Sequence, residues 1–97
     1  MPMYVSLVRY TDQGIRTIKD SPARLENVKK MLKSAGGELK QFFLAMGRYD
    51  IVLVTEAPND ETVATISLGL ASLGNVRTET MRVFTEDEFR KIVGSIK

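Results

Sequence analysis

The chain has 97 residues with no cysteine, no histidine and a net charge of +2, and its 43% hydrophobic content is ordinary for a globular domain. A length of this order fits one domain with a small core. The missing residue types exclude disulfides, thiolate nucleophiles, Cys/His zinc sites and Ser-His-Asp triads, and a two-charge excess spread among alternating acids and bases makes no nucleic-acid patch.

No run of eighteen apolar residues reads as a membrane span. The opening MPMYVSLVRY has no basic segment ahead of its apolar stretch, which argues against a signal peptide and leaves the cytosol as the expected compartment. Residues 3–10, MYVSLVRY, read as a first strand ended by the turn signal TDQG. IRTIKD, 15–20, leaves room for one irregular turn. A helix opens with Ser21 as N-cap and Pro22 at its first position, and Gly36 stands just past its end. Leu25, Val28, Leu32 and Ala35 share one face of it, while Arg24, Lys29, Lys30 and Lys33 lie off that face as a solvated basic surface.

Residues 38–46 read as a second strand and 49–57 as a third, joined tightly at Gly47-Arg48, where glycine supplies the positive φ of a hairpin turn. Pro58 stops the third strand, and Asn59 or Asp60 caps a helix through Leu73, closed by Gly74. Gly69 inside that helix costs about 1 kcal/mol relative to alanine, so close backbone packing there is the expected reason for it. Residues 75–84 form a fourth strand, and TEDE is a capping box of Thr85 and Glu88. The tail helix it opens puts Phe89, Ile92, Val93 and Ile96 on one stripe. The order β-α-β-β-α-β, with right-handed crossovers, predicts a ferredoxin-like α+β domain spanning 1–97. Its antiparallel sheet has strand order 4-1-3-2, two helices on one face and an extra C-terminal helix.

Two helices cover only one side of such a sheet, and an exposed second side alternates apolar with polar residues. The third strand does not alternate: Ile51 and Leu53 point one way, Val52 and Val54 the other. With Val5 and Leu7 against Tyr4 and Val8, and Phe42 against Phe43, about six large apolar groups stay on the far side under either parity. Left wet, they forfeit on the order of 10 kcal/mol, which rivals the stability of a small domain. The tail helix is narrower than the sheet, so a second copy, stacked face to face about a two-fold axis, is the expected cover.

MGRYDIVLV, RYTDQGIRTIKDSPAR and LGNVRTETMRVFT together resemble the GYD-domain family, whose Gly-x-Tyr-Asp signature is matched by Gly47, Tyr49 and Asp50. The resemblance runs nearly end to end. It implies a ferredoxin-like fold related to dimeric α/β-barrel proteins, a group that includes cofactor-free monooxygenases, isomerases, haem enzymes and stress-response proteins. It implies no single activity.

Strand directions bring Tyr10, the hairpin Gly47 to Asp50 and the start of the fourth strand at Arg77 to one end of the sheet, under the loop carrying Arg16. Tyr10, Arg16, Arg48, Tyr49, Asp50 and Arg77 are therefore the candidate ligand-binding residues, the arginines suited to a small polar or anionic molecule. Tyr49 and Asp50 are strand neighbours and point to opposite faces. Asp50 as a tie between hairpin and loop, with Tyr49 packed at a rim, outweighs a catalytic role for either. Inward Thr78 and Thr80 either meet a small polar ligand or bond across strands, the second being favoured. The five methionines read as gap-fillers. No catalytic residue, metal ligand or cofactor is assigned. The function expected is a homo-oligomeric small-molecule-binding or accessory module. The alternative is a cofactor-independent monooxygenase- or isomerase-like enzyme, weakened by the lack of histidine. An RNA-binding module ranks third, since the third strand carries only Tyr49 for stacking. Neither nucleic acid nor membrane is an expected partner.

Overall fold

Glycine and cap chemistry mark out the elements of the computed structural model, which describes all 97 residues. Strand β1 (Met3–Tyr10) leads into a short helix α1 (Asp12–Arg16) and a 3-10 turn (Ile18–Asp20). Helix α2 (Ser21–Ser34) is followed by β2 (Glu38–Leu44), β3 (Ile51–Glu56), α3 (Asp60–Ser72), β4 (Val76–Val83) and α4 (Glu86–Gly94). Gly36 and Gly74 end α2 and α3 with φ of 85° and 84°, a region where a side chain is strained. The Asn59 carboxamide oxygen accepts from the Thr62 N–H at 2.9 Å to start α3. At α4 both halves of the capping box form: the Thr85 hydroxyl accepts from the Glu88 N–H, and the Glu88 carboxylate accepts from the Thr85 N–H. That backbone bond holds the Glu88 carboxyl below its ordinary pKa.

The sheet is antiparallel with order β2-β3-β1-β4, which is the expected 4-1-3-2 read from the other edge. Register fixes the parity that alternation left open. Val8 and Ile51 pair with each other, Ser6 with Leu53, and Tyr4 with Thr55; these side chains lie under the helices and include most of the buried residues. Val5, Leu7, Val52, Val54, Phe43 and Met81 occupy the opposite face. No helix of the chain covers them. Phe43 keeps 51% of its surface exposed and Met81 keeps 45%.

Several local expectations are revised. The β2–β3 connection is a six-residue loop, Ala45 to Asp50, rather than a tight turn at Gly47-Arg48. The Asp50 carbonyl accepts the Ala45 N–H at 2.7 Å and closes the loop, its own N–H turns to the Val8 carbonyl at 2.9 Å, and Gly47, at φ 106°, serves the wider loop. TDQG opens a helix because Thr11 caps it, its hydroxyl accepting from the Gly14 N–H. Ser21 lies inside α2, whose N-cap is Asp20.

Gly69 has no heavy atom within 4 Å of where a Cβ would stand, so close packing is not its reason. Gly69→Ala is therefore expected to stabilise the protein by about 0.5–1 kcal/mol, read in urea melts. A loss of stability would show that this spot on α3 is covered by something outside the chain.

The tail helix stands apart. It packs against no strand to any appreciable extent, and Phe89, Ile92, Val93 and Ile96 are 46–72% exposed. Its one ion pair to the body is Arg82 with Glu88, at 3.9 Å. The radius of gyration, 14.7 Å, exceeds the ~13 Å of a compact domain of about 100 residues. No helix is long and apolar enough to cross a membrane.

Candidate functional site: a cleft under the helices and a polar end of the sheet

Helix α2 packs over β2 and α3 over β4, and the two helices barely meet. The central strands are buried beneath them, with Val8 4% and Ile51 7% exposed, yet the helices do not close fully over the middle of the sheet. A cleft of about 120 Å³ opens there, with Val8, Ile51 and Leu53 as its floor, Val28 on the α2 wall and Leu73 on the α3 wall. Its lining is almost entirely apolar. The polar handle is the Tyr10 hydroxyl, 2.6 Å from the Ser21 hydroxyl at the start of α2. Arg24 borders the cleft but is committed, donating to the Thr17 and Gly14 carbonyls.

The expected polar end of the sheet forms. The Thr11 N–H donates to the Asn75 carbonyl at 3.0 Å, and the Gln13 amide donates to the Leu73 carbonyl at 3.0 Å. α1 therefore grips the α3–β4 turn. Asp50 accepts the Tyr10 N–H on Oδ2 at 2.9 Å while its own N–H binds Val8, so one residue extends the β1–β3 ladder by two bonds. No ion pair joins Asp50 to Arg16 or Arg77. Replacing Asp50 with Ala strands the half-buried Tyr10 amide and is expected to cost about 1–3 kcal/mol. A fall in Tm of several degrees by circular dichroism checks this, and an unchanged Tm would deny the tie its weight.

The six candidate residues divide between two faces. Tyr10 lies on the helix side with Ser21. Tyr49 lies on the open side, its hydroxyl donating to Glu79 at 2.9 Å and its ring under the Arg9 guanidinium at 4.8 Å. Arg48 is exposed, and its carbonyl accepts from Arg9. Arg77 sits across from Arg9 on β4, and Arg16 bonds only within α1, to the Asp12 carbonyl. The arginines thus belong to separate elements and share no pocket. Arg9 and Glu79 are not among the sequence candidates, and Ser21 is read there only as a helix cap. The only signal for Arg9 is its parity with Leu7.

A second, more open groove of about 500 Å³ runs between α3 and β4. Tyr4 donates to Asp60 there at 2.5 Å. Burial pushes the Tyr4 hydroxyl above its ordinary pKa, and the Asp60 carboxylate adds to the effect. Thr80 bonds across strands to Ser6 at 2.9 Å. Arg82 reaches the Val83 carbonyl and stacks on Phe84 at 4.2 Å. No three carboxylates converge as metal ligands would.

A four-stranded antiparallel sheet with two helices on one face, an open second face and an unpaired tail helix defines a ferredoxin-like α+β domain. The same fold, at a TM-score of 0.65 and 16% identity, occurs in a feast or famine regulatory protein from Mycobacterium tuberculosis complexed with L-methionine, over 88% of this chain. The chain spans about half of that protein, 51%. It also occurs in TTHA0845 from Thermus thermophilus, at a TM-score of 0.54 and 21% identity over 88% of this chain and 95% of that one. The GYD domain model matches residues 4–93, and the chain belongs to that family. A relative from Thermus thermophilus, named as a glutamine synthetase and cystathionine beta-lyase binding protein, is 37% identical over 82 residues, covering 84% of this chain and 86% of the relative.

Proposed function

We propose that this protein is an accessory binding module that works as a face-to-face homodimer and attaches to a larger metabolic enzyme. The observation that carries this reading is the open sheet face, whose apolar side chains no element of the same chain covers. Two such faces stacked about a two-fold axis bury Val5, Leu7, Val52 and Val54 of both copies, and the α4 stripe lies along the partner copy. Binding rather than chemistry suits a cleft lined by aliphatic side chains with one hydroxyl pair at its rim. The Thermus relative, at 37% identity, is named for binding two enzymes, which supports an enzyme as the partner here.

Sedimentation equilibrium tests the first half, with a dimer at micromolar concentration as the expected result. Surface plasmon resonance against purified glutamine synthetase and cystathionine beta-lyase from the same source tests the second. Saturable binding of either enzyme is expected. A monomer in the first experiment removes the dimer, and silence from both enzymes in the second removes the accessory role.

A further inference from the structure

We infer that the cleft between α2 and α3 is a binding site for a small neutral molecule with a ring-sized apolar body and one hydroxyl or carbonyl. The site comes from the layout of the layers. The two helices bury the helix-side residues of β1 and β3 but leave a small cleft between themselves above those strands. Val8, Ile51 and Leu53 floor the gap, and Val28 and Leu73 wall it. A cleft of about 120 Å³ approaches the size of apolar protein cavities, roughly 150 Å³, that take up benzene.

Charge decides the rest of the ligand. No carboxylate lines the cleft, and its one cation, Arg24, is spent on the Thr17 and Gly14 carbonyls. An ionised ligand finds no free counter-charge there and loses its water without compensation. A neutral ligand with one polar atom does find a partner. In the Tyr10–Ser21 pair one hydroxyl donates to the other, at 2.6 Å, which always leaves the accepting hydroxyl with a proton to give. That proton, in a mostly apolar lining whose other polar members, Asn27, Asn75 and Thr78, are neutral, suits a ligand hydroxyl or carbonyl oxygen. The site lies on the opposite side of the sheet from the face assigned to the dimer, so it does not depend on that assignment.

The test is a titration of the full chain, labelled at its Ile, Leu and Val methyls, with phenol and with benzoate as a charged ring of similar size. The expected result is saturable methyl shifts at Val8, Val28, Leu53 and Leu73 with phenol and none with benzoate. Val28→Phe fills the cleft and is expected to abolish the phenol shifts while the rest of the spectrum stays dispersed. Tyr10→Phe with Ser21→Ala removes both hydroxyls of the pair and is expected to weaken phenol about fivefold, the worth of one hydrogen bond. Absence of saturable phenol shifts overturns the site. So does phenol binding that survives Val28→Phe, or benzoate binding as tightly as phenol. Sedimentation of the same samples reports the dimer separately, so failure of one reading leaves the other standing.

Discussion

Gly14→Ala is expected to lower the melting temperature by roughly 15 °C or more. A Cβ at position 14 would stand 2.0 Å from the Asn75 carbonyl oxygen and 2.9 Å from its carbon. Those atoms are backbone, and the same oxygen is held by the Thr11 N–H at 3.0 Å, so neither side can yield by a rotamer change. To make room, α1 must lift off the α3–β4 turn. It then gives up that bond, the Thr11 hydroxyl's bond to the Gly74 carbonyl at 2.5 Å and the Gln13 bond to the Leu73 carbonyl. Overpacking costs about 1–3 kcal/mol and each of the three lost bonds about 1 kcal/mol, a sum near 4–6 kcal/mol. In a domain of this size each kcal/mol moves Tm by about 4–8 °C. Gly94→Ala, with nothing within 4 Å, is the control and is expected to be nearly silent. A Gly14→Ala protein melting within 3 °C of the parent, roughly half a kcal/mol, would mean that α1 docks elsewhere.

The second large effect concerns assembly. Val52 sits at the middle of the open face, paired with Leu7 on β1 and Phe43 on β2. Val52→Asp leaves one chain able to fold, because in the protomer that position is only half-buried on a face no helix covers, and the change is expected to cost about 0.5–3 kcal/mol. In the proposed face-to-face dimer, symmetry would place two unpaired carboxylates inside an apolar interface, each costing several kcal/mol to desolvate. Dissociation is therefore expected to rise by about 1,000-fold or more. The parent protein's Tm should climb with concentration, whereas the variant's should stay flat. A variant that still sediments as a dimer would place the two-fold contact on another surface.

Much of the fold was legible because its signals are local. Asn59, Thr85 with Glu88, and the glycines at 36 and 74 act within a turn of their own positions. Strand order followed from handedness alone. What escaped was set by distant partners. Both parities of β3 are aliphatic, so alternation gave no sign of which face the helices would take; only the register of Val8 on Ile51 fixes it. Gly14 reads as a turn former, yet it is needed for the approach of Asn75, sixty-one residues on in the chain. Gly69 invited a packing explanation that its open surroundings refuse. Gathering the polar candidates at one end was sound, but Tyr10 and Tyr49 came to rest on opposite sides of the sheet. The cleft itself had no sequence mark, since it arises from how two helices distant in the chain sit side by side over the sheet.

The tail's isolation carries a last consequence. Nine residues from Glu86 to Gly94 are fewer than the ~12–15 at which a lone helix becomes even marginal in water, whatever its capping. Docking against another surface is therefore expected to firm a helix that the chain alone holds only weakly. Amide protons of the last turn should exchange freely in a lone molecule and slow once a neighbour lies against Phe89 and Ile92, which makes the C-terminus a natural gauge of company.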